Sequence, residues 1–103
     1  MVKEYSLGEM DLVPEGAGKA FDVGGRTIAV FRSRGLFFAM ANRCVHKGAS
    51  MCDGSLTADG NEIRCPWHNW PFDLASGQHR LDARQRARTY PIRVEDGKLI
   101  LTV

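Results

Sequence analysis

Two short segments set the limits on what this chain can fold into. Residues 42–51, NRCVHKGASM, carry Cys44 and His46, and residues 65–73, CPWHNWPFD, carry Cys65 and His68. Together they read C-x-H, eighteen intervening residues (47–64), then C-x-x-H. Two thiolates and two imidazoles suit either zinc or iron–sulfur chemistry. A zinc finger usually puts both cysteines in one arm and both histidines in the other. Here each arm supplies one of each, which matches a centre with two different metal positions. If the arms lie side by side, the cysteines converge on one metal and the histidines on the other. Buried structural cysteines and core histidines are a poor alternative, because two Cys/His pairs in two Gly/Pro-marked loops would be a large coincidence.

The rest of the chain reads as β-structure. Pro14-Glu15-Gly16, Gly24-Gly25, Gly35, Asp53-Gly54, Asp59-Gly60, Ser76-Gly77 and Asp96-Gly97 read as turns. Between them lie short runs rich in Val, Ile, Phe and Thr. Strands are expected over residues 20–23, 26–32, 36–41, 61–64, 89–95 and 98–103, with alternation clearest in 26–32. Asp96-Gly97 between the last two is a hairpin signal, since that turn needs positive φ. No window holds a helical period beyond two turns. Residues 42–51 and 67–72 are too broken for strands and read as loops, where sites on a β scaffold usually lie. The expectation is an all-β small antiparallel sandwich or barrel, a single domain over residues 1–103.

Composition excludes several functions. The 103 residues are 44% hydrophobic and 25% charged, an ordinary globular balance. A net charge of +2 is too weak to argue for nucleic acid. The N-terminal MVKEYSLGEMDLVPEG has no apolar run, so neither signal peptide nor membrane span is read there and a cytoplasmic location is expected. Three cysteines are an odd count for a disulfide framework in a reducing compartment, which favours metal or redox use.

At CVHKGASM, CPWHNWPFDLASGQ and the closing TYPIRVEDGKLILTV the sequence resembles the Rieske ferredoxin family, and the resemblance extends over nearly the whole chain. It implies two cluster-binding loops at one tip of the fold and one [2Fe–2S] cluster per chain. Cys44 and Cys65 would hold the inner iron, and His46 and His68 the outer, exposed one. Neutral imidazoles leave the oxidised cluster uncharged, so it accepts an electron more readily than an all-cysteine cluster. High-potential relatives carry Ser and Tyr hydroxyls just after the second ligand histidine and a disulfide between the loops. The matching positions are Trp70, Phe72 and Trp67, which can supply neither. A low potential is therefore expected.

A cluster alone moves one electron, and apart from the expected ligands only His79 could serve a second metal site. The resemblance implies a carrier and not an enzyme, the ferredoxin component of an aromatic-ring-hydroxylating dioxygenase. It would pass electrons from a flavin-dependent NAD(P)H reductase to a terminal oxygenase, and would be monomeric. The alternatives are the small subunit of an NAD(P)H nitrite reductase, or a zinc-stabilised interaction domain with no redox role. Outside the motif, Cys52 reads as a small buried hydrophobe and His79 as a surface side chain. Pro66 and Pro71 would stiffen the second loop, and Gly48 would permit a tight turn near the cluster. Trp67, Trp70 and Phe72 would shield the cluster or pack the core. Arg80, Arg84, Arg86 and Arg88 read as a solvated surface, or as a docking rim for an acidic partner with Arg43 and Lys47. Gly16-Ala17-Gly18-Lys19 lacks the spacing of a phosphate loop.

Overall fold

The structure, a computed structural model, describes residues 3–43, 49–67 and 69–103. Among the described residues ten strands run β1 Glu4–Glu9, β2 Gly18–Val23, β3 Arg26–Ser33, β4 Leu36–Ala41, β5 Ser55–Leu56, β6 Glu62–Arg64, β7 Pro71–Asp73, β8 Thr89–Tyr90, β9 Ile92–Glu95 and β10 Lys98–Thr102. Single 3₁₀ turns occupy Met10–Leu12 and Met51–Asp53. All pairings are antiparallel and form three sheets, ordered β1-β10-β9, β2-β3-β4-β8 and β5-β6-β7. The all-β expectation stands.

Three tight hairpins fix the register. Val23 pairs with Arg26, Ser33 with Leu36 and Glu95 with Lys98, leaving two residues in each turn. Gly24 and Gly25, Arg34 and Gly35, and Asp96 and Gly97 all have positive φ, as a type I′ turn requires. Arg34 takes that conformation without being glycine, and two hydrogen bonds offset the strain. The Glu15 carboxylate accepts the backbone N–H groups of Arg34 and Gly35 at 2.7 and 2.8 Å.

The central sheet has a core on each side. Ala29 and Phe31 of β3 and Met40 of β4 join one cluster with Ala49, Met51, Ile63, Cys65, Phe72, Leu74 and Ala87. Ile28 and Val30 of β3 and Ala39 of β4 join the other with Val13, Val23, Tyr90, Leu99 and Leu101. The alternation expected over 26–32 is thus not inside against outside. It divides residues between two cores, and Ile28, Ala29, Val30 and Phe31 are all buried, as in a strand covered on both faces.

Three strand expectations need correction. Residues 89–95 are not one strand: β8 pairs with β4 and β9 with β10. Pro91 separates them, and having no N–H it cannot continue a ladder. Residues 67–72 are not wholly loop, since β7 begins at Pro71. Strand β1 was not expected at all, although Tyr5 and Leu7 both pack against the second core. A register shift between Ser6 and Gly8 breaks its period.

Charged side chains clasp the edges. Arg93 of β9 reaches Glu4 of β1 at 2.7 Å and Glu95 at 2.9 Å. The Arg93 hydrogen bond holds the Glu4 carboxyl below the usual carboxylate range, and Arg84 does the same to Asp82. The Gly35 N–H lowers Glu15, and the Thr57 hydroxyl lowers Asp59. A carboxyl lowered by folding adds stability above its unfolded pKa and loses it as pH falls through the folded value. Thermal midpoints should be level from neutral pH to about 5 and decline steadily below about 4. A midpoint unchanged down to pH 3 would contradict these pairings.

Candidate metal centre

Described residues in and beside the two motifs share one core cluster, which holds Ala49, Met51, Cys65 and Phe72. The first loop leaves β4. Arg43 and Ser50 form an isolated antiparallel bridge that closes it. The Asn42 carbonyl accepts the Met51 N–H at 2.6 Å, and its side-chain oxygen accepts the Cys52 N–H at 3.0 Å. The second loop is the tip of the β6–β7 hairpin, where Ile63 pairs with Phe72 and Arg64 with Pro71. The Cys65 N–H donates to the Trp70 carbonyl at 2.9 Å. Asn69 turns the chain with φ 54°, a conformation asparagine tolerates.

Cys65 is fully buried and shares one core cluster with Ala49 at the foot of the first loop. Both loops therefore rise from the same patch of core. Cys44, His46, Lys47, Gly48 and His68 lie outside the described residues. Among the described residues no three Cys, His, Asp or Glu side chains gather to hold a metal ion. A buried sulfur that shares a core cluster with Ala49, next to the first motif in sequence, fits the inner position of a cluster held between the two motifs.

The aromatic residues divide their roles. Phe72 is fully buried, Trp70 packs against the core from the edge, and Trp67 is 56% exposed. Trp67 is thus a surface side chain. Cys52 is half-buried and packs on the first core, so it is not the fully buried residue expected. Burial pushes its thiol pKa up, and the neighbouring Asp53 charge adds to that. A thiol held protonated is a poor nucleophile and a poor ligand.

His79 overturns its expectation. It is 3% exposed, against Trp70 and Phe72. The polar sequence around it faces water while this one side chain turns inward. The signal available in the sequence was Phe72-Asp73 followed by Ser76-Gly77, a turn that folds the next residues back onto β7. Phe72 and His79 indeed bridge, as do Gln78 and Arg86.

The arginines are committed locally. Arg80 pairs with Glu62 at 2.7 Å and Arg84 with Asp82 at 3.1 Å. Arg86 donates to the Ser76 carbonyl at 3.0 Å, and the Arg88 guanidinium lies 5.3 Å from the Tyr90 ring centroid. All four residues remain exposed. Gly18 of the Gly-rich 16–19 stretch lies in β2 against Phe31, so no phosphate loop forms there.

Among the described residues the fold is three antiparallel sheets, and the buried Cys65 shares a core cluster with Ala49. The chain belongs to the Rieske [2Fe–2S] domain family, whose model matches residues 3–91. Its cofactor is accordingly a single [2Fe–2S] cluster. The chain is 34% identical over 93 residues to the ferredoxin component of the naphthalene 1,2-dioxygenase/salicylate 5-hydroxylase systems of a Ralstonia species, covering 89% of this chain and 88% of that one. Its fold superposes on the ferredoxin of carbazole 1,9a-dioxygenase from Nocardioides aromaticivorans with a TM-score of 0.88 at 28% identity, over 96% of both chains. A Mycobacterium tuberculosis chain described as an NADH-dependent nitrite reductase small subunit superposes with a TM-score of 0.91 over 100% of this chain and 96% of that one. At 24% identity that likeness shows the fold alone.

Proposed function

We propose that this chain is the one-electron carrier of a ring-hydroxylating oxygenase system, taking electrons from a flavin-dependent NAD(P)H reductase and delivering them to a terminal oxygenase. The observation that carries it is the buried Cys65, in one core cluster with Ala49, in a chain whose relatives are ferredoxin components. Cys44 and Cys65 would hold one iron, and His46 and His68 the other. The cluster supplies reversible one-electron reduction. The chain's own part is to bury the thiolate side, to tie the loops at Asn42, Arg43 and Ser50, and to close the hairpin from Cys65 to Trp70. Among the described residues no helix is long and apolar enough to cross a membrane. A single domain over 1–103 acting in the cytoplasm is the setting that this role requires.

Residues 80–88 border the second loop, since the Arg80 N–H donates to the Pro71 carbonyl. There Leu81 is 81% exposed amid arginines. This suits contact with an apolar spot rimmed by acids on a partner surface. The experiment that tests the role is a potentiometric titration. Hydroxyl donors are missing at Trp70 and Phe72, so a midpoint near the lower end of the Rieske range, about −150 mV, is expected. A midpoint above about +100 mV would place the protein among high-potential Rieske centres and remove the ferredoxin assignment.

A further inference from the structure

We propose that His79 is a positioning residue for the second cluster loop, a buried neutral imidazole wedged between the turn at residues 80–85 and Trp70, whose carbonyl holds the Cys65 N–H. The assignment rests on the reading of Cys65 as a cluster ligand.

Among the described residues the buried polar side chains are Ser33, Asn42 and His79. Ser33 donates to the Gly60 carbonyl at 2.7 Å, and Asn42 accepts the Cys52 N–H. His79 is only half used. Its Nδ1 accepts the backbone N–H groups of Leu81 at 3.0 Å and Asp82 at 3.2 Å. Accepting there puts the proton on Nε2, so the ring is neutral. Nε2 is buried with no hydrogen-bond partner among the described residues. An aliphatic side chain would avoid that desolvation cost, so the imidazole must contribute what an aliphatic group lacks.

It contributes in two ways. An acceptor aimed at the N–H groups two and three residues ahead imitates the side-chain turn that Asp and Asn make. His79 also closes the far side of this turn, through its own N–H to the Gln85 carbonyl at 3.1 Å. The flat ring is the second contribution. It meets Trp70 with centroids 4.5 Å apart at 70° and Phe72 with centroids 4.9 Å apart at 64°. Both are edge-to-face contacts of the favoured kind. Trp70 in turn accepts the Cys65 N–H at 2.9 Å. The imidazole is thus two contacts from the sulfur-bearing residue, one step beyond the groups that hydrogen-bond a metal ligand directly.

Two variants separate the contributions. His79→Asn keeps an acceptor for the turn and removes the ring. His79→Phe keeps the ring and removes the acceptor. Each is purified with cluster, and four quantities are read: the spectrum of the reduced cluster by electron paramagnetic resonance, the midpoint potential, iron release to a ferrous chelator, and the thermal midpoint. His79→Asn is expected to release iron about tenfold faster, the lower end of the outer-shell range, with altered g-values and a shifted midpoint. His79→Phe is expected to keep the wild-type spectrum and iron retention, while trypsin cleaves faster at Arg80 and Arg84. If His79→Asn does not fold, His79→Gln presents the same choice. Iron-loaded wild type whose variants lose only thermal stability, with spectrum, midpoint and iron release unchanged, would overturn the assignment alone. Wild type that binds no iron would overturn the ligand reading, and this assignment with it.

Discussion

Cys65→Ser should give a colourless protein with almost no iron or sulfide and no resonance signal after reduction. Cys65 is fully buried where the second loop meets the core, and its backbone is fixed by the Trp70 carbonyl. A serine hydroxyl of nearly equal size would fill the site without supplying a soft anionic donor, because it stays protonated at neutral pH. The cluster would lose one of its two thiolates. Metal binding and folding are linked in small domains, so the variant should also unfold at a lower temperature than the loaded protein. Cys52→Ser is the control. Cys52 is half-buried with its thiol pKa raised, so that variant should keep a full complement of iron. Retention of iron by Cys65→Ser, or its loss from Cys52→Ser, would reassign the ligand.

The second large effect is expected at Gly77, far from any ligand in sequence. Gly77 has φ +77°, and a Cβ there would overlap the Ala87 carbonyl oxygen and meet Thr89 Cγ2 at 3.0 Å. The same residue donates to the Asp73 carbonyl at 2.7 Å and accepts the Ala87 N–H at 2.8 Å. It therefore holds residues 78–87 down on β7. The left-handed conformation alone costs about 1–2 kcal/mol for an alanine. The overlap adds to this, because backbone and not the end of a flexible side chain must shift to relieve it. Gly77→Ala should lose more than about 3 kcal/mol, beyond the common range for single substitutions. Gly25→Ala is the comparison, with φ +82° and open space around the added carbon. It should lose only the conformational share, about 1–2 kcal/mol. Urea midpoints at constant slope decide between them. Equal losses would mean that the Ala87 contact does not limit the site.

Much of this fold could be read from local chemistry. Asp96-Gly97 marked a hairpin and Gly24-Gly25 a turn because few residue pairs accept positive φ in succession. The Cys/His spacing pointed to a two-metal centre because the donor types alternate between arms instead of segregating. Features set by tertiary position were less legible. The polar residues next to His79 make it look solvated, and only the Ser76-Gly77 turn, which folds the chain back onto β7 and Trp70, hints at its burial. Residues 89–95 carry a continuous β-pattern, yet Pro91 ends one ladder and lets the chain enter another sheet. The alternation of residues 26–32 showed two faces of a strand but not that a core covers each.

The central claim is that Cys44, His46, Cys65 and His68 hold a [2Fe–2S] cluster. Its most direct test is the electron paramagnetic resonance spectrum of anaerobically purified protein before and after dithionite, with iron, zinc and sulfide counted on the same sample. The expected result is a silent oxidised state, a signal on reduction whose average g lies below the free-electron value, and iron and sulfide each at about two per chain. A sample silent in both states, holding zinc and no sulfide, would contradict it and leave the CPWHNWPFD hairpin as a structural clasp.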